Sequence, residues 1–94
     1  MTNNQKIECY KWARKSIAGN NTLTICIELF AAFIHLGYGT ADNITAKQFV
    51  EQFPELYRRK PEYANRGGYW WTIDDRGQQL RLAAIDHILK ELHG

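Results

Sequence analysis

The stretch LTICIELFAAFIHL, Leu23 to Leu36, decides the fold. Ile25, Cys26, Ile27, Leu29, Phe30, Ala31, Ala32, Phe33 and Ile34 cover nearly every face of a 3.6-residue helix. Only Glu28 and the two ends are polar. A helix that is apolar all round is one that other elements cover. A buried strand would also read as a continuous apolar run. The fourteen positions from Leu23 to Leu36 and the Ala31-Ala32 pair favour helix over the roughly four to eight residues of a strand. The stretch predicts a central, buried helix over about residues 22–36, ended by Gly37, Tyr38 and Gly39. Thr24, Glu28 and His35 interrupt it before it reaches the roughly 20 apolar residues a bilayer crossing needs, so no membrane span is expected.

Upstream, Ile7, Tyr10, Ala13 or Arg14, and Ile17 recur at helical spacing, with Lys6, Lys11, Arg14 and Lys15 on the complementary positions. This is an amphipathic helix over residues 4–18 with a basic outer face. Gly19, Asn20 and Asn21 stop it, since Gly and Asn tolerate the left-handed conformation that ends helices.

Downstream, Thr45 and Gln48 form a T-x-x-Q capping box, with Ile44 placed to staple against Phe49. The third helix so started has the core stripe Ala46, Phe49, Val50, Phe53 and Leu56 or Tyr57. Pro54 imposes a break near Phe53, by a kink or by opening a second short helix. The polar stretch from Glu62 to Gly68 reads as the longest loop, and Tyr69 to Ile73 as a short extended segment. Asp74 or Asp75 then caps a last helix through Leu80, Leu82, Ile85, Ile88, Leu89 and Leu92. The result is an all-α bundle of four to five helices around the 22–36 helix, in one domain over residues 1–94.

A hydrophobic share of 45% and an aromatic share of 13% fit a packed core and not a disordered chain. The 12 Lys plus Arg against 10 Asp plus Glu leave only +2, so a nucleic-acid surface would have to come from local clustering. Met1 to Lys6 lacks the layout of a secretory signal, and a cytosolic location is expected. Cys9 and Cys26, without CxxC spacing, read as small buried apolar residues.

Neither catalysis nor cofactor binding is expected. His35, His87 and His93 make no metal-site spacing with the cysteines. Ser16, the only serine, lies on the basic helix face without a positioned base. Asp74 and Asp75 are explained as helix caps and Asp86 as a solvated position. Gly67-Gly68 lacks the lysine and hydroxyl residue of a phosphate loop.

What remains is basic and aromatic. Lys11, Arg14 and Lys15 lie on the first helix, and Arg58, Arg59 and Lys60 follow the third, with Arg66, Arg76 and Arg81 beyond. Trp12, Tyr57, Tyr63, Tyr69, Trp70 and Trp71 supply aromatic neighbours. Such a set suits a protein interface, where Trp, Tyr and Arg carry most of the energy, or a stacking surface for single-stranded nucleic acid. Glu51, Glu55 and Glu62 dilute the second basic set and tilt the reading toward protein recognition.

Ile25-Cys26-Ile27-Glu28-Leu29, then Tyr69-Trp70-Trp71, then Arg81-Leu82 with Ile85-Asp86, resemble small accessory proteins encoded by phages and prophages, over most of the chain. The resemblance implies a non-enzymatic binder of host machinery, a class that includes anti-CRISPR and other anti-defence inhibitors. It transfers no functional residue.

The expected function is therefore binding and inhibition or redirection of a host protein complex through Arg58, Arg59, Arg66, Tyr69, Trp70 and Trp71. A nucleic-acid-binding regulator using Lys11, Arg14, Lys15, Arg58, Arg59 and Lys60 is the second reading. A homo-oligomeric nucleotide or second-messenger binder is the third.

Overall fold

A computed structural model describes residues 1–20, 25–40, 45–57 and 78–94. These form five helical segments and, among the described residues, no strand. They are α1 (Asn3–Gly19), α2 (Ile25–His35), α3 (Ala46–Gln52), α4 (Pro54–Tyr57) and α5 (Gln78–His93). The all-α bundle expected from the apolar patterning is the observed architecture. The Tyr69-Trp70-Trp71 segment, the expected caps Asp74 and Asp75, the staple residue Ile44 and the side chains of Ala46, Val50 and Tyr57 lie outside the described residues.

α1 begins on a capping box. The Thr2 hydroxyl accepts from the Gln5 amide at 3.2 Å, and the Gln5 carbonyl oxygen accepts from the Thr2 amide at 2.9 Å. At its other end neither Gly19 nor Asn20 is left-handed. Asn20 is extended (φ −153°, ψ 112°) and its amide donates to the Ile17 carbonyl. The Gln78 side chain, arriving on α5, donates from Nε2 to the Ile17 and Ala18 carbonyls at 2.8 and 2.9 Å. The Ile17 and Ala18 carbonyls at the end of α1 are thus served from another helix, beside the bond from the Asn20 amide.

α2 ends as expected, with Gly37 at φ +84°. The Tyr38 amide bonds the Phe33 carbonyl and the Gly37 amide the Ile34 carbonyl, which is the Schellman pattern, and the Tyr38 ring packs 6.4 Å from that of Phe33. Gly39 is required by proximity, because a Cβ there would lie 2.3 Å from Phe33 Cε1. The Tyr38 hydroxyl donates to the Glu8 carboxylate on α1. That bond, with some desolvation, pushes the phenol up to about 12.

The capping box predicted at α3 forms, with Gln48 N to Thr45 Oγ1 at 3.1 Å and Thr45 N to Gln48 Oε1 at 2.9 Å. The break falls at Phe53, and Pro54 opens α4 at its first position, where its missing N–H costs nothing.

α1 packs against both α2 and α5. Its inner stripe is Cys9, Tyr10, Ala13 and Ile17, all fully buried, and it meets Ile25, Cys26, Leu29, Ala32 and Phe33 of α2 and Ala84, Ile85 and Ile88 of α5. Phe49, Phe53 and Leu56 close the core from the side, with Tyr10 edge-on to Phe53 at 5.6 Å. Two expectations change here. Ile27 is 50% exposed and Glu28 only 9%, so α2 is not covered all round and its lone acid is not on its exposed side. On α5 the buried residues are Arg81, Ala84, Ile85 and Ile88, with Leu82, Leu89 and Leu92 packed against the core, so the expected stripe differs only at its first residue. Leu80, read as core, is 59% exposed, whereas Arg81, read as part of a cationic surface, is 6% exposed. The long aliphatic stem of arginine allows that burial.

Candidate functional site

Most polar side chains that join elements do so across helix-to-helix seams. Glu55, at 4% exposure, accepts from Tyr10 Oη at 2.8 Å and from Lys6 Nζ at 3.3 Å, tying α4 to α1. Arg14 grips Asp86 with two bonds, Nε to Oδ1 at 2.6 Å and Nη2 to Oδ2 at 3.2 Å, tying α1 to α5. This pairing holds the Asp86 carboxyl below its ordinary range and the guanidinium above its own. Asp86, expected to be merely solvated, is an ion-pair partner.

The basic face expected on α1 therefore divides. Lys11 and Lys15 remain exposed, while Arg14 is half-buried and paired with Asp86. Lys6 reaches Glu55. Arg58, Arg59, Lys60, Arg66, Tyr69, Trp70 and Trp71 lie outside the described residues, as do Tyr63 and Arg76.

Flanking the core stripe of α1, Trp12, Lys15, Ser16 and Gly19 follow one another at i, i+3, i+4 and i+7 and so share a face, with Trp12 also packed against the edge of the core. With Asn20 and Glu28 of α2 they line an open groove of about 560 Å³. This lies within the range of about 300–1,000 Å³ of small-ligand sites. Trp12 is half-buried, its rings centred 5.4 Å from the His35 imidazole. Gly19 leaves its portion open, since a Cβ there would meet nothing within 4 Å. Glu28 is only 9% exposed, and among the described residues no hydrogen bond or ion pair reaches its carboxylate.

The groove thus offers a fixed carboxylate, an exposed ammonium, a hydroxyl and an indole. From the sequence, Lys15 and Trp12 belong to the candidate binding set, whereas Ser16 reads as a serine without a base and Glu28 as a polar interruption of the apolar helix. A signal for Glu28 was present, as it is the only acid in an otherwise apolar helix. Cys9 is buried, and desolvation, with the nearby Glu8 charge, pushes its thiol up to about 12, so it stays protonated at neutral pH. Among the described residues no three His, Cys, Asp or Glu side chains converge as metal ligands, and no helix is long and apolar enough to cross a membrane. The chain matches no protein-family model, and no curated protein or solved structure is significantly similar to it.

Proposed function

We propose that the chain is a non-enzymatic, cytosolic interaction protein of the phage accessory type, which binds a host protein complex and blocks or redirects it. The observation that carries this reading is the division of polar groups on α1. Tyr10, Lys6 and Arg14 are engaged in holding α4 and α5, whereas Lys11 remains exposed and Trp12 and Lys15 line an open groove. An aromatic residue flanked by cations on a rigid helix is the make-up of an interface hot spot. Arg58, Arg59, Arg66, Tyr69, Trp70 and Trp71 extend the same chemistry in sequence and are the residues assigned to the partner.

The nucleic-acid reading ranks second, because Arg14 is charge-paired and the groove beside Lys15 carries a carboxylate. Replacing the six assigned residues together by alanine should abolish partner binding while the helical circular dichroism and the melting transition persist. Retained affinity in that variant overturns the assignment.

A further inference from the structure

We propose that the α1–α2 groove is a receptor for one arginine side chain carried by a protein partner, with Glu28 as the anionic end and the Trp12 indole as the aromatic wall. The inference rests on the reading of the chain as an interaction protein and assigns contact residues additional to those proposed within 58–71.

The fixed charge of the groove decides the occupant. Glu28 is about nine-tenths buried, lines the groove and has no bonding partner among the described residues. A carboxylate on a largely covered side chain that lines the groove without a paired cation is open to a cationic donor that enters there. Lys15 lies across the same groove, but it is exposed on a flexible stem, and no ion pair with Glu28 forms. A phosphate or carboxylate entering the groove would meet the Glu28 charge at close range. A guanidinium matches both features, since it pairs with a carboxylate through two parallel bonds and stacks on an indole face. Ser16 and Gly19 are the small residues that leave space for such a side chain to reach Glu28.

The test is an amide and indole NMR titration of the whole chain with N-acetyl-arginine amide, and with the citrulline analogue as a neutral isostere. Arginine should produce saturable shifts at the Trp12 indole N–H and the Ser16 and Gly19 amides, and citrulline should not. Glu28→Gln should weaken the arginine response by about tenfold or more. Gly19→Met, which fills the groove from a helical position with nothing within 4 Å of its Cβ, should abolish the response without unfolding the chain. Equal responses to arginine and citrulline, or an arginine response unchanged in either variant, would overturn the proposal. So would the absence of any saturable shift. A single-stranded oligonucleotide that moves the same resonances would overturn it in favour of nucleic acid. If this titration fails while a protein partner is still captured, only the groove assignment falls.

Discussion

The two sides of α1 share one helix and differ in what their side chains do. Toward the core, Cys9, Tyr10, Ala13 and Ile17 are fully buried, and even the Tyr10 hydroxyl is bonded, to Glu55 of α4. Toward the groove, Trp12 is half-covered, Lys15 is exposed, and Ser16 and Gly19 leave space between α1 and α2. The inner side has the close packing in which every methylene contributes to stability. The outer side is mixed: Trp12 also packs against the edge of the core, while Lys15, Ser16 and Gly19 line the groove. The contrast separates residues that hold the bundle from residues available to a partner, and substitutions on the two sides should divide accordingly.

The largest stability effect should come from the inner side. Ile17→Ala removes a fully buried side chain at the junction of α1 with the core and should cost about 2–5 kcal/mol in urea denaturation. A loss below about 1 kcal/mol would mean that this side is less tightly packed than described. Tyr10→Phe keeps the ring against Phe53 and removes only the hydroxyl, so Glu55 retains Lys6 but loses a donor. A cost of about 1–3 kcal/mol is expected, compared with wild type under the same conditions.

Asp86→Asn should be milder, at most about 1 kcal/mol, because both partners of the Arg14 pair are substantially exposed to screening water. Its pH signature is more informative than its size. The folded state holds the Asp86 carboxyl below its ordinary value, so its contribution is complete above the unfolded carboxylate pKa. That contribution is lost as pH falls through the folded value. The difference in melting temperature between wild type and Asp86→Asn should therefore shrink as the solution is acidified, and added salt should shrink it at neutral pH. The smallest effect belongs to the groove side. Lys15→Ala should change stability by no more than about 0.5 kcal/mol, and a larger loss would show that Lys15 holds the bundle.

Local chemistry made the bundle legible. Thr45 and Gln48 announced the start of α3, Pro54 its break, and Gly37 with Gly39 the end of α2. The box formed by Thr2 and Gln5 was equally readable and was overlooked in a polar N-terminus. What could not be read came from distant partners. Gln78 caps α1 across a separation of 61 residues to Ile17, and Arg14 meets Asp86 across 72, so neither pairing leaves a local trace. The expected α5 stripe holds at Leu82, Ile85, Ile88, Leu89 and Leu92 and fails only at its start, where Leu80 is exposed and the stem of Arg81 is buried instead. The candidate site was half legible. Trp12 and Lys15 drew notice as aromatic and basic, but Glu28 becomes a feature of the site only when α1 lies beside it.

The most direct test of the central claim is affinity capture of the tagged chain from host lysate with and without nuclease, read by mass spectrometry against a tag-only control. The account predicts a defined protein complex that stays bound after nuclease treatment. Recovery of partners only when nucleic acid is intact, or of none above the control, would contradict it.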